Sequence, residues 1–271
     1  MRVIIWALLF LMFQTAGSHA ASAQNSKGDG TQVGEQSSQE SRFERLKREA
    51  ESGDGVAQTN FGLMYAKGDG VAQDDSQAVF WLRKAAEQGR AAAQLNMGIM
   101  YRHGRGVPQD YQQALEWYYK ASEQGRPDAD VNIGVMFQYG LGVTQNYAKA
   151  AEWYRKAAEL GNGNAQYNLA SLYNKGEGVE LDYEQAVMWY QKAADQKIPS
   201  AQYSLGLLLE EGKGTSKDLI KAYAYLEMAA KGAGADKAFA DAIQEAKDRI
   251  QKLLSPNQEQ EALKEADRLR G

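Results

Sequence analysis

Apolar residues recur along most of the chain with the spacing of amphipathic helices, and one pattern returns five times. In the first copy, Ala57, Phe61 and Tyr65 lie on one face of a helix. A second apolar face follows in the same copy, and it comprises Ala78, Trp81, Leu82 and Ala85. Each copy therefore predicts two helices joined by a short polar turn.

Corresponding residues of successive copies are 36 positions apart throughout. The period is clearest in a column of alanines, which are Ala57, Ala93, Ala129, Ala165 and Ala201. An internal repeat of this length is typical of solenoids, in which stacked units bury faces that no single unit could bury alone. A glycine inside the first helix, Gly62 in the first copy, predicts close approach of a neighbouring helix, because glycine is unfavourable there otherwise.

The turn between the two helices carries a Gly-x-Gly sequence, Gly68 and Gly70 in the first copy. Glycine adopts positive φ readily, so this sequence predicts the end of the first helix. The predicted N-caps of the second helices are Asp74, Asp110, Asn146, Asp182 and Asp218. Glutamines three residues later predict capping boxes, and these are Gln77, Gln113 and Gln185.

The repeats occupy residues 57–232 and are flanked by helices that read as caps. Residues 41–56 predict an N-terminal capping helix, which Ser41 and Glu44 would begin. Residues 233–271 predict two C-terminal capping helices, at about 236–254 and 256–270. The predicted fold class is all-α: a right-handed α/α solenoid of five helix-turn-helix repeats with a cap at each end.

The first 23 residues resemble a secretory signal peptide. Arg2 precedes an apolar run, and small residues suited to cleavage near Ala20 or Ala23 follow it. The run is shorter than the roughly 20 residues that span a bilayer, although an uncleaved anchor is an alternative. Residues 24–40 are almost free of apolar side chains and predict a flexible polar linker. We therefore expect a periplasmic or secreted protein that is not inserted in the membrane after cleavage.

Charge and composition limit the classes of partner and site that the protein could have. The formal net charge is −4 and the sequence pI is about 5.4, which disfavours nucleic acid as a partner because phosphate binding needs a basic surface. Cysteine is absent, so disulfides, thiolate metal sites and cysteine nucleophiles are excluded. No constellation suited to metal, cofactor or catalysis is apparent, and we predict a protein that is not an enzyme and binds no cofactor.

The segment AQTNFGLMYAKGDGVAQDDSQAVFWLRKAAEQG and its four sister copies resemble the Sel-one-like repeat family. That family belongs to the tetratricopeptide-like α/α superhelices, and the resemblance covers residues 57–233. The resemblance implies a protein-interaction scaffold, in bacteria often exported. Relatives take part in envelope signalling, exopolysaccharide control and contact with host cells.

The resemblance also implies a binding surface, because first helices line the concave face of related domains. The residues predicted to form this groove are Asn60, Leu63, Lys67, Asn96, Ile99, Asn132, Val135, Tyr167, Asn168, Tyr203 and Leu207. Amides would bind the backbone of an extended or helical peptide, and aliphatic side chains would bury its apolar groups. The alternative is that the asparagines bond to neighbouring helices and only stabilise the array. A clamp for a terminal carboxylate would use Lys67, Arg102 and Lys175, but that set is incomplete.

Other conspicuous residues have structural explanations. The Gly-x-Gly turns lack the features of a phosphate loop, and the tryptophan row suits packing between repeats. His103 is predicted to face solvent at a helix end. The leading hypothesis is an exported adaptor, expected to be a monomer, and a more specific form is an envelope or signalling regulator. A secreted host-contact or structural protein is the alternative, and a β-lactam-binding hydrolase is the least favoured.

Overall fold

The structure is a computed structural model that describes residues 41–270, so the predicted signal peptide and linker lie outside the described residues. The described chain contains thirteen helices and no strand. In chain order they are α1 (Arg42–Glu51), α2 (Gly55–Lys67), α3 (Asp75–Glu87), α4 (Ala91–His103), α5 (Tyr111–Glu123), α6 (Pro127–Tyr139), α7 (Tyr147–Glu159), α8 (Gly163–Lys175), α9 (Tyr183–Asp195), α10 (Pro199–Glu211), α11 (Leu219–Gly232), α12 (Lys237–Gln251) and α13 (Pro256–Arg270).

The five repeats are the helix pairs from α2 to α11, and each second helix packs between its own first helix and the next one. Contacts also run along each layer. Arg102 of α4 donates a hydrogen bond to Asn132 of α6, so successive first helices are neighbours. The rings of Tyr119 in α5 and Trp153 in α7 are 5.6 Å apart, so successive second helices are neighbours too. The predicted all-α solenoid is confirmed.

The glycines within the first helices mark close helix contacts. A Cβ atom on Gly98 would lie 2.4 Å from Cε1 of Tyr118, and one on Gly134 would lie 2.5 Å from Cε1 of Tyr154. The space is filled by a ring from the second helix of the same repeat. The predicted close approach is therefore confirmed, and it explains why a residue of poor helix propensity stands at these positions.

The turns between helices form as predicted. Gly68 ends α2 with φ of 71°, and its N–H donates to the carbonyl of Met64. The second glycine of a turn meets the preceding repeat: a Cβ atom on Gly106 would lie 2.1 Å from the carbonyl oxygen of Asp75. Only glycine fits against that backbone, and the turns of the third to fifth repeats lie in the same way against the start of the second helix one repeat earlier.

The predicted N-caps are confirmed in all five second helices, where the cap side chain accepts one or two backbone N–H groups. The predicted capping boxes form in one direction only: the cap side chain accepts the backbone N–H of Gln77, Gln113 and Gln185 in their repeats, but no glutamine side chain accepts the cap N–H. The backbone N–H of Asp74 donates to the carbonyl of Tyr65 at 3.0 Å, and the same bond recurs in the other four repeats. The cap N–H therefore already has an acceptor from the first helix, and the glutamine side chain is not needed.

Additional helices cover both ends of the repeats. At the N-terminal end α1 places Phe43 against Phe61, with ring centroids 5.3 Å apart. At the other end α12 and α13 both pack on α11, so they do not form a sixth helix pair. Ser255 and Gln258 exchange hydrogen bonds at the start of α13. The helix predicted at 236–254 is α12, which ends three residues earlier at Gln251.

Candidate functional site

The predicted groove residues all lie on first helices, and we call them the first-helix stripe. They are distributed as Asn60, Leu63 and Lys67 on α2, Asn96 and Ile99 on α4, Asn132 and Val135 on α6, Tyr167 and Asn168 on α8, and Tyr203 and Leu207 on α10. Since successive first helices are neighbours, the stripe runs from repeat to repeat along one layer of the array. Whether this surface binds a partner stays a prediction.

The aliphatic row of the stripe is partly exposed. Leu63, Ile99, Val135 and Leu207 are each half-buried, and Ser171 takes the corresponding place in the fourth repeat. Their inner atoms contribute to the hydrophobic core, while their outer atoms face solvent. This row could bury apolar groups of a partner without leaving the core.

The asparagine row is less uniform than the sequence indicates. Asn60 is exposed, whereas Asn96 and Asn168 are half-buried. Asn96 donates from Nδ2 to the carbonyl of Ala92 at 2.7 Å within its own helix. This leaves the Asn96 carbonyl oxygen without a hydrogen-bond donor among residues 41–270, so it is available as an acceptor.

Asn132 occupies a different environment, with a relative exposure of only 2%. Its Nδ2 donates to the carbonyl of Asp128 at 2.8 Å, and its Oδ1 accepts a hydrogen bond from Nη1 of Arg102 at 2.9 Å. The alternative interpretation of the asparagines, as bonds between helices, therefore describes Asn132. Its side chain links α4 to α6 and does not face a partner.

Arg102, predicted only as part of an incomplete carboxylate clamp, is the residue of this surface that the list of groove residues did not include. Its relative exposure is 6%, and it lies beside the phenol of Tyr118. The Tyr118 hydroxyl is buried, and no described residue accepts its proton. Burial raises the pKa of Tyr118 well above its usual value, and the Arg102 guanidinium opposes that rise. The sequence offered one signal, since arginine stands in this column only in the second repeat.

The corresponding tyrosine of the third repeat is satisfied. The Tyr154 hydroxyl donates to Oε1 of Gln138 at 2.6 Å, and Gln138 stands where repeat two has Arg102. Burial raises the pKa of Tyr154 strongly. A neutral amide at this position thus accepts the hydrogen bond of the buried phenol, whereas the guanidinium of Arg102 has no acceptor for it.

The last repeat ends the stripe with paired charges and an aromatic contact. Glu210 accepts two hydrogen bonds from Arg249 of α12, each 2.6 Å long. The ring of Tyr203 lies 5.6 Å from that of Phe239 in the same helix. Helix α12 therefore covers part of the stripe, and the more accessible part lies in the preceding repeats.

His103 lies at the end of α4 and is exposed, as predicted. Partial desolvation lowers its pKa, and the positive charges of Arg102 and Arg105 lower it further. Residues 41–270 bring together no three histidine, cysteine, aspartate or glutamate side chains that could hold a metal ion. The same residues contain no helix whose length and apolarity would carry it through a membrane.

A polar cluster at the boundary of the second and third repeats was not predicted, and we call it the charged joint. Asp130 is fully buried and accepts hydrogen bonds from the Ser122 hydroxyl and from Nζ of Lys156, the latter at 2.9 Å. Lys156 also donates to Ser122 at 2.8 Å. The serine is buried and gives its proton to Asp130, so the arrangement is that of an internal ion pair and not of a nucleophile presented to a substrate.

The tryptophans of the second helices each carry a lysine one turn further along. Nζ of Lys192 lies 4.0 Å from the ring centroid of Trp189, and Nζ of Lys120 lies 4.2 Å from that of Trp117. Trp81 and Trp189 are buried, and the others are partly buried against the core. Their faces are thus occupied by intramolecular contacts, consistent with packing between repeats.

The Sel1 repeat family model matches five consecutive segments that together cover well over half of the chain, at residues 55–89, 91–125, 127–162, 163–197 and 199–233. The chain belongs to the Sel1 repeat family. Each matched segment contains one of the helix pairs described above. Sel1 repeat proteins are generally scaffolds for protein interaction.

One solved structure supports the assignment, and two others resemble the chain more weakly. A Sel1 repeat protein from Oxalobacter formigenes is 34% identical over 69% of this chain and 77% of its own, with a TM-score of 0.62. A sel1 repeat protein from Klebsiella pneumoniae is 22% identical over 77% of this chain and 99% of its own, with a TM-score of 0.49. An immunity protein from Pseudomonas aeruginosa is 23% identical over 72% of this chain and 81% of its own, with a TM-score of 0.48. The last two values are too low to bear on function, and no curated protein is significantly similar to the chain.

Proposed function

We propose that this Sel1 repeat protein is an exported adaptor, without enzymatic activity, that binds an extended segment of another protein along the first-helix stripe. The observation that carries the proposal is the row formed by Leu63, Ile99, Val135 and Leu207, which is half-buried in four of the five repeats. A partner segment would bury the outer atoms of this row, and burial of apolar surface is the main favourable contribution to such binding.

Polar groups beside the row suit the backbone of a bound segment. The Asn96 carbonyl oxygen is an acceptor, and the Asn60 side chain is exposed and offers both donors and an acceptor. An extended segment exposes N–H and C=O groups along its length, so such amides would hold it in register. Export is supported by the sequence of residues 1–23, which has the order of charge, apolar run and small residues found in signal peptides.

The test is crosslinking of the exported protein in its native cells, followed by capture and identification of what it binds. The variant is Asn96→Ala with Asn168→Ala, which removes two half-buried amides and leaves the Asn132 bond between helices intact. We expect wild type to capture a defined partner and the variant to lose most of it at unchanged helicity.

A matched control carries Gln112→Ala with Glu184→Ala, two exposed residues of second helices. The control should capture the partner as wild type does. Equal capture by all three proteins would exclude the Asn96 and Asn168 amides as contacts and would count against the first-helix stripe as the binding surface. Sequencing of the mature N-terminus should begin after Ala20 or Ala23, and an intact residue 1 in an envelope fraction would contradict cleavage.

A further inference from the structure

The guanidinium of Arg102 is a buried charge for which the described chain supplies no carboxylate. Arg102 is 6% exposed, and its hydrogen-bonded side-chain partner is the neutral amide of Asn132. No ion pair within residues 41–270 includes it. Arginine stays charged at all ordinary pH values, and buried charges are normally paired because desolvation is costly. An unpaired guanidinium therefore needs an explanation.

Packing alone does not demand arginine at this position. The corresponding residues of the other repeats are Ala66, Gln138, Asn174 and Glu210. In the third repeat the neutral Gln138 accepts the phenol proton that in the second repeat has no acceptor. In the fifth repeat the charge of Glu210 is paired with Arg249. The third and fifth repeats thus supply a partner for the polar group at this position, whereas the second repeat supplies no acceptor for the phenol proton and no carboxylate for the guanidinium.

The guanidinium is not sealed inside the protein. The buried side-chain nitrogen and oxygen atoms without a partner in the described chain are Tyr118 Oη, Arg126 Nε, Asp130 Oδ2 and Arg270 Nε. No nitrogen of Arg102 belongs to that set, and the one further side-chain group within its reach is the Tyr118 hydroxyl, which carries no charge. Arg102 lies three residues after Ile99 on the same helix, which brings it close to the aliphatic row.

The surroundings reinforce the positive charge. His103 follows Arg102 directly, and the charges of Arg102 and Arg105 both act on it. Arg105 is itself paired with Asp75, so it leaves Arg102 as the unbalanced charge. A carboxylate at Arg102 would be held by a planar fork of donors, which is a strong and directional interaction when water is largely excluded.

We propose that Arg102 binds the side-chain carboxylate of a glutamate or aspartate in the middle of the partner segment. This inference rests on the function proposed above. A side chain is favoured over a terminal carboxylate because the aliphatic row continues on both sides of repeat two, with Leu63 before it and Val135 after it. A segment lying along the row would therefore pass Arg102 with an internal residue. The partner is thus an acidic extended segment of another protein.

The test is an array of twelve-residue peptides with blocked ends, made in pairs that differ by glutamate or glutamine at each position. It is probed with the full exported chain, with Arg102→Gln and with Arg155→Gln. Glutamine occurs at both positions in the following repeats, as Gln138 and Gln191, so both variants are compatible with the fold. We expect wild type and Arg155→Gln to bind the glutamate members about tenfold more tightly, as for a charge-assisted hydrogen bond.

Arg102→Gln should lose that preference and still bind the glutamine members. Equal preference in Arg102→Gln and wild type would overturn the assignment of Arg102 while leaving the stripe as the binding surface. A preference that depends on Arg102 only when the peptide has a free C-terminus would show that the side-chain assignment is wrong. Failure of wild type to bind any peptide would overturn both the inference and the proposed function.

Stability in urea provides the second readout. If Arg102 serves a ligand, Arg102→Gln should unfold at the same urea concentration as wild type or a higher one, because an unpaired buried charge is removed. A clearly lower midpoint would make Arg102 a residue that stabilises the α4–α6 contact and would contradict a role in binding.

Discussion

Two boundaries between repeats are built from different chemistry. Between the first and second repeats, Gln94 donates to the carbonyl of Ala86 at 3.2 Å and accepts from Gln124 at 2.7 Å. We call this the neutral joint, and Gln58 with Gln88 and Gln166 with Gln196 form the same pair. Between the second and third repeats, Asp130 replaces the first glutamine and Leu160 the second, and the charged joint takes their place.

The two joints differ in how completely their buried polar atoms are paired. In the neutral joint each buried amide has a partner, and no charge is desolvated. In the charged joint Oδ2 of Asp130 has no partner among the described residues, and the lysine that pairs with Oδ1 is about half exposed. Buried ion pairs often contribute less than neutral or apolar replacements, since desolvation offsets the attraction. The third repeat therefore depends on a single lysine more than its neighbours do.

The largest effect should come from Lys156→Met, which leaves Asp130 buried without its cation. We expect the free energy of unfolding to fall by about 2 kcal/mol, less than for a fully buried pair because Lys156 is partly exposed. The matched control is Lys120→Met in the second repeat, where the lysine contacts Trp117 and pairs with no described carboxylate. That change should cost less than about 1 kcal/mol in urea unfolding. Equal losses would abolish the distinction between the joints.

A smaller effect of opposite sign is expected when the charged joint is converted to the neutral form. Asp130→Gln together with Leu160→Gln would restore the pair found at the other boundaries. Stability should be unchanged or higher by about 1 kcal/mol, because a desolvated carboxylate is exchanged for two paired amides. The single variants separate the contributions, and a double variant that is much less stable than wild type would contradict this account.

The smallest effect concerns pH and acts on the second repeat, where Gln94 and Gln124 form the neutral joint. The pKa of His103 is lowered from 6.5 by desolvation and by Arg102 and Arg105. Below pH 6.5 the unfolded chain therefore takes up a proton more readily, and stability should fall as pH drops through that region. His103→Gln should remove this part of the pH dependence. A wild-type stability curve that parallels the variant between pH 7.5 and 5.5 would count against the lowered pKa.

The periodic features of the sequence predicted most of the fold. Gly68, Asp74 and their counterparts report local backbone requirements, and such requirements can be read in each copy separately. The capping boxes are incomplete because the carbonyl of Tyr65, nine residues before the cap, accepts the hydrogen bond from the cap N–H that a glutamine side chain would otherwise accept. Competition between a side chain and a nearby backbone carbonyl for the same N–H cannot be recognised from the aligned sequences of the repeats.

The site was harder to predict, because its chemistry depends on residues about 30 positions apart. Asn96 and Asn132 look equivalent in the aligned copies, yet only Asn132 faces an arginine in the preceding repeat. The joints have the same dependence, since Gln88 meets Gln58 and Gln124 meets Gln94. Residues that depart from the repeat, such as Arg102 and Asp130, therefore indicate where the contacts between repeats differ from one boundary to the next.

The close contact between Gly106 and the carbonyl of Asp75 also constrains how the number of repeats can change in evolution. The distance along the chain from one helix start to the next turn has to match the stacking distance between units. Insertion of a residue between the helix start and the turn would break the contact of the turn glycine with that helix. Gain or loss of a whole repeat would preserve the contact. Recombination in steps of one repeat is thus the route that this geometry leaves open.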